Sequence, residues 1–228
     1  MNIRENLELL CRTIPAHVKV IVVSKTQGPG TIMEAYSAGH RFFGENKVQE
    51  LAFKASTLPS DIQWHFIGHL QTNKVRMIAP FIHMIHSIDS MKLLKEVEKE
   101  AGKSGRVIAC LLQLHIATEE TKFGLDMQEA FQILESPGYR AMRNIRIHGL
   151  MGMATYTEDE NLIRKEFRSL SDSFNKIKAT FFPSDDEFRE LSMGMSGDYG
   201  IAIEEGSTMI RIGTAIFGER PKPITPEV

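Results

Sequence analysis

Apolar positions along this chain fall into a recurring unit: a short β-prone apolar run, a polar or glycine-containing turn, then apolar residues at the helical period. The chain opens with a helical pattern, Ile3, Leu7, Leu10 and Ile14. Val18 to Val23 then reads as a buried strand ending at Ser24-Lys25-Thr26, followed by a helix from about Thr31 to Ala38 that Gly39 stops. A second strand covers Arg41 to Phe43, and Gly44-Glu45-Asn46 leads into a helix carrying Val48, Leu51 and Ala55. The third strand, Trp64 to Ile67, is followed by Gly68-His69-Leu70-Gln71 and a helix from Thr72; the fourth, Met84 to Ile88, by a helix from about Asp89 to Ala101.

The second half repeats the unit. Val107 to Leu114 is a nearly all-apolar strand, a longer loop holds Thr118 to Gly124, and Met127, Phe131 and Leu134 mark a helix. Ile145 to His148 is the sixth strand, ending at Gly149 to Met153, and Ile163, Phe167, Leu170, Phe174 and Ile177 line the inner face of the longest helix. A short strand, Glu190 to Ser192, precedes a Gly/Ser loop, and Met209 to Ile212 closes the series before Gly213-Thr214. Strands alternating with helices point to parallel βαβ units. The reading is α/β: a single (β/α)8 TIM barrel with an extra N-terminal helix, spanning residues 1–228 as one domain. A doubly wound open sheet is the alternative and fits short strands less well.

Composition adds exclusions. A formal net charge of -2 gives no basic surplus for nucleic acid. Early charge at Arg4 and Glu5 argues against a signal peptide, and no run approaches the roughly 18 apolar residues of a membrane span. Cys11 and Cys110 make neither a metal spacing nor a redox pair, so both are expected as buried thiols of a cytoplasmic protein.

In such barrels the chemistry sits at the C-terminal strand ends. Lys25 follows an apolar strand, where an ammonium is poorly solvated and a neutral amine, the form that attacks carbonyls, is favoured. A lysine simply reaching water is the plain alternative. The runs Met193 to Gly197 and Gly213 to Gly218 bring backbone N–H groups and the Ser196 and Thr214 hydroxyls to the place where barrels bind phosphate, though each alone is an ordinary turn. Arg211 interrupts an apolar strand and requires a partner, either a core carboxylate or a ligand in the barrel mouth. Glu45 reads as a base or as a cap of the next helix. His65, His69, His83 and His86 match no zinc spacing and read as core or supporting groups, so no metal is expected. The twelve methionines are mostly core, with Met151, Met153, Met193 and Met195 candidates for a pocket wall.

Taken in order, several segments resemble the YggS/PROSC family of pyridoxal-phosphate homeostasis proteins. They are Val23-Ser24-Lys25-Thr26, Phe43 to Glu50, Trp64 to Lys74, His86 to Asp89, His148 to Ala154, Leu191 to Tyr199 and Gly206 to Gly218. The resemblance implies a barrel like the N-terminal domain of alanine racemase, with pyridoxal 5'-phosphate (PLP) as a Schiff base on Lys25. It implies Ser196, Gly213 and Thr214 at the phosphate, Arg211 at the pyridine nitrogen and Asn46 near the ring. Two positions depart from the family pattern: His115 stands where asparagine is frequent, and Lys47 where tyrosine is frequent; Glu119 and Lys122-Phe123-Gly124 keep the pattern between.

The implied role is a PLP-binding protein of intracellular vitamin B6 and amino-acid homeostasis without robust catalysis, hence no catalytic residue. The chain ends soon after Gly218, and with it the second domain that gives racemases their other base is expected to be missing. Expected partners are PLP and PLP-dependent apoenzymes, with no nucleic acid and no membrane, and a monomer is favoured over an obligate oligomer. The alternatives are a PLP-dependent racemase or lyase, a cofactor-free Schiff-base aldolase whose substrate phosphate uses Ser196 and Thr214, and a pure interaction protein.

Overall fold

The computed structural model describes residues 2–119 and 123–218. Within them, eight parallel strands close into a barrel in chain order, the eighth pairing with the first through Val20↔Ile210 and Ile21↔Arg211. The strands are β1 (Lys19–Val23), β2 (Phe42–Glu45), β3 (Gln63–Phe66), β4 (Met84–Ile88), β5 (Ile108–Gln113), β6 (Ile145–Met151), β7 (Glu190–Met195) and β8 (Met209–Ile212). The helix α1 (Ile3–Thr13) precedes them, and α2 (Pro29–Ser37), α3 (Val48–Thr57), α4 (Val75–Ile78) and α5 (Met91–Lys103) follow the first four strands in turn. After β5 come α6 (Met127–Glu135) and α7 (Pro137–Arg140), after β6 the long α8 (Glu160–Phe181), after β7 α9 (Tyr199–Glu204) and after β8 α10 (Thr214–Phe217).

Local chemistry sets these boundaries. Ser90 and Asp159 accept backbone N–H groups at the starts of α5 and α8, and Asp126 with Glu129 forms a reciprocal capping box on α6. Pro29 and Pro137 occupy first-turn positions, where their missing N–H is harmless. Strand alternation then makes two cores. Val20, Val22, Phe43, Trp64, Phe66 and Ile210 face the helices in the larger cluster, while Ile21, Met84, Leu111, Met151 and Met209 fill the barrel interior. Full burial of such an aliphatic side chain stabilises the fold by about 1.5–3 kcal/mol. The far end is closed by polar groups: Lys19 pairs with Glu190, which also accepts from Thr208 Oγ1 at 3.1 Å.

Cys110 is buried, and its thiol is pushed above the ordinary range by that burial. Cys11 is exposed, contrary to the expectation for both thiols, because it follows Leu10 onto the outward side of α1. Among the described residues, no helix is long and apolar enough to cross a membrane.

Candidate functional site

The C-terminal strand ends surround a cavity of about 460 Å³. Lys25, Asn46, Ser196, Arg211, Gly213 and Thr214, all singled out in the sequence, line it together.

Lys25 follows β1 and continues the alternation of Ile21 and Val23, which aims it inward. It is half-buried in a tight turn, where Gln27 N–H donates to Ser24 O at 3.0 Å. The next residue, Thr26, has φ +69°, a left-handed conformation costly for a β-branched residue. Hydrogen bonds hold the turn in that shape. Thr26 N–H donates to Glu50 Oε1 at 2.7 Å, and Ser24 Oγ donates to Glu45 Oε1 at 2.6 Å. Behind both lies Lys54, which donates to Ser24 O (2.8 Å), Glu45 Oε1 (2.7 Å) and Glu50 Oε1 (2.7 Å).

Glu45 is therefore neither base nor cap. It is the last residue of β2, fully buried on the helix-facing side against Lys54 of α3. Burial pushes its carboxyl up, against the opposing pull of Lys54 and Ser24. Glu50 also loses solvent, which raises it, but Lys54, the Thr26 N–H and Lys47 outweigh that and hold it below its ordinary value.

Asn46 reaches the cavity from the turn after β2, close beneath β3's exit. A Cβ on Gly68 would lie 2.5 Å from Asn46 O, so only glycine lets the two strand ends approach this closely. On the other side, β7 extends to Met195, past its expected end at Ser192, because Gly194 curls the strand at φ +96°. Met195 N–H donates to Asp198 Oδ1 at 2.5 Å, closing a turn that carries Ser196 and Gly197 at its tip. After β8, Gly213 O accepts the first bonds of α10 from Ile216 and Phe217, which leaves the Thr214 and Ala215 N–H groups ahead of the helical ladder.

Arg211 lies in the floor of the cavity, 4% exposed. It donates to Ser192 Oγ at 2.7 Å and Gly152 O at 3.0 Å, neutral oxygens rather than a carboxylate. Burial lowers it to about 10, and the Asp198 charge acts in the opposite direction. It remains a cation at neutral pH.

The histidines separate. His65 and His86 are buried in the barrel, His83 is exposed, and His69 lines the cavity, stacked on Phe123 at 3.9 Å with Nδ1 3.0 Å from Asp89 Oδ2. No group of three or more metal-ligating side chains occurs among the described residues. Met153 and Met195 join the cavity wall, whereas Met151 and Met193 are core. His115 is exposed, bonded to Glu119 O at 2.9 Å, and is not a lining residue; Lys47 is exposed as well. Lys122 lies outside the described residues.

Sequence reasoning passed over several wall residues, among them Gln113, Phe123, Tyr156 and Thr157. Gln113 ends β5, so the strand-end rule alone reaches it. Its Nε2 donates to Phe123 O at 2.7 Å and braces that part of the rim.

Residues 1–221 match the family model for the N-terminal domain of alanine racemase. A pyridoxal phosphate homeostasis protein of Aquifex aeolicus is 38% identical over 203 residues, 89% of this chain and 87% of that one. One of Vibrio alginolyticus is 38% identical over 218 residues, 93% of this chain and 91% of its own. Among solved structures, PipY of Synechococcus elongatus PCC7942 with PLP bound superposes with a TM-score of 0.85 at 35% identity, covering 95% of this chain and 100% of PipY.

Proposed function

Because the chain belongs to the alanine racemase N-terminal domain family, we propose that it binds PLP at the barrel mouth and serves in PLP homeostasis, as its relatives' names indicate for them. One observation carries this reading: Lys25, Asn46, Ser196, Arg211, Gly213 and Thr214 share a single cavity. The donor set fits the cofactor's three polar parts. Lys25 offers the amine; the Ser196 and Thr214 hydroxyls, with backbone N–H groups after Gly213, suit a phosphate; and Arg211 suits a pyridine nitrogen as donor.

When bound, PLP supplies a reactive aldehyde and an electron-withdrawing ring. Lys25 would hold the cofactor through its amine, the group that reacts with an aldehyde. The turn at Ser24 to Thr26 orients that amine. A cation at Arg211 disfavours a proton on the pyridine nitrogen, which weakens the ring as an electron sink. The arrangement therefore favours holding and releasing the cofactor over turning over amino acids. In this reading the protein is a cytoplasmic monomer that buffers PLP and delivers it to apoenzymes.

A second reading, a racemase or lyase, draws support from His69, which lines the cavity with Asp89 beside it as an acid–base couple. Loss of α-deuterium from free amino acids, abolished by His69→Ala, would favour it.

The deciding experiment is the visible spectrum of purified protein with PLP, before and after borohydride, with Lys25→Ala beside it. A yellow band removed by borohydride, with the pyridoxyl group mapped to Lys25, is expected. Protein that stays colourless with added PLP would overturn the reading.

A further inference from the structure

A file of four buried side chains runs from the cavity floor into the barrel. Arg211 donates to Ser192 Oγ at 2.7 Å, Ser192 Oγ lies 2.9 Å from His86 Nδ1, and His86 Nε2 lies 2.8 Å from His65 Nδ1. Their exposures are 4%, 0%, 0% and 1% in that order. The file ends at His65 Nε2, which has no partner among the described residues.

Donor bookkeeping gives this file a direction. Arginine can only donate, so Ser192 Oγ accepts at the head. If the Ser192 hydroxyl donates onward to His86 Nδ1, His86 Nε2–H donates to His65 Nδ1, and one group is left over, the His65 Nε2–H. If the file ran backward, His86 Nδ1–H would donate to Ser192. The Ser192 proton would then lack an acceptor and the His65 Nε2 lone pair would lack a donor. Burying an unpaired polar group is costly, so one orphan is preferred to two. Both rings must be neutral for either arrangement, and their surroundings agree. Burial holds His65 and His86 well below the ordinary histidine range. Repulsion from a protonated His86 and then from His83, Lys19 and His40 would add to this around His65, and from Arg211 and His83 around His86.

Resting on the PLP reading of the cavity, we propose that Arg211→Ser192→His86→His65 is a one-way hydrogen-bond file in which Ser192 and His86 are positioning residues, fixing the Arg211 guanidinium for the cofactor's pyridine nitrogen. Two guanidinium N–H groups are committed, to Ser192 and Gly152, and among the described residues no further bond of Arg211 is seen in the cavity that it lines. Ser192 prevents the group from swinging away, and His86 fixes the Ser192 hydroxyl.

Two measurements test this on the full chain. Imidazole nitrogen NMR of wild-type protein should show His65 and His86 both neutral and both protonated at Nε2, across about pH 6 to 8. Titration with PLP should show Ser192→Ala binding ~10-fold or more weakly, the loss of one charge-assisted hydrogen bond. Its visible band should also shift in wavelength and in pH midpoint, and Ser192→Thr should restore both. A purely structural serine would lower thermal stability on removal but leave the band's wavelength and midpoint in place. Nδ1-protonated rings in the wild type would overturn the proposal, whether or not Ser192→Ala folds. A Ser192→Ala protein with wild-type affinity and spectrum would also overturn it while the wild type still binds PLP. Wild-type protein that takes up no PLP is a different failure, that of the underlying reading.

Discussion

Lys25 and Lys54 stand on opposite faces of the paired ends of β1 and β2 and do opposite work. Lys54 is 2% exposed, with its three N–H groups directed to three oxygens. Lys25 is half-buried and lines the cavity. The first is a fixed charge with every proton assigned, which makes it architecture. The second stands where a carbonyl compound can reach it. The two sites are joined, because the Lys54 cluster grips the peptide groups on either side of Lys25: Ser24 O directly, and Thr26 N–H through Glu50.

The contrast breaks most readily at Lys54. Lys54→Met strands Glu45 in the interior and should destabilise the fold by about 3–5 kcal/mol in urea unfolding. Lys25→Ala should cost under about 1 kcal/mol while abolishing borohydride trapping at that position. Equal stability losses would mean that Lys25 is architectural too. Acid sharpens the comparison next. Glu50 sits below its unfolded value of 4.5, so its stabilisation is complete above that pH and is lost as pH falls through the folded value. Glu45 sits above 4.5, so its contribution is present in acid and is lost as pH rises through the folded value. Glu50→Gln and Glu45→Gln should therefore change the slope of urea midpoint against pH in opposite senses. Gly68→Ala, with a Cβ 2.5 Å from Asn46 O, should cost about 1–3 kcal/mol and weaken PLP binding by moving Asn46. The smallest effect is expected from Thr214→Ala at the proposed phosphate end, where Thr214 is exposed: about 1 kcal/mol, roughly fivefold in the Kd for PLP.

The barrel was legible because each strand carries its own period and each following turn its own polar or glycine signal. Val18 to Val23 and Met209 to Ile212 could hardly be read otherwise. Boundaries were less legible where tertiary contacts override the pattern. The run to Met195 depends on Gly194 packing over Ala202, and α9 was hidden inside what reads as a Gly/Ser loop. Six residues that share the cavity were singled out because the strand-end rule and a family resemblance converged on them. Glu45 was misplaced for a simple reason: one step along a strand reverses the face, so Glu45 points to the helices while Asn46 reaches the cavity. The Ser192–His86–His65 file could not be read from sequence, since it joins three strands whose interior faces meet only when the barrel closes.

Trp64 gives the protein a signal of its own. It is the chain's single tryptophan, 3% exposed, beside the Phe43 ring and one residue before His65. A tryptophan so enclosed emits at shorter wavelength than an exposed one, and a pyridoxyl chromophore bound nearby can accept its energy. Filling the barrel mouth should therefore dim that emission by energy transfer. One intrinsic fluorophore, fixed in the wall of the barrel, makes the occupied fraction readable continuously and without a label, down to the pace at which the cofactor leaves.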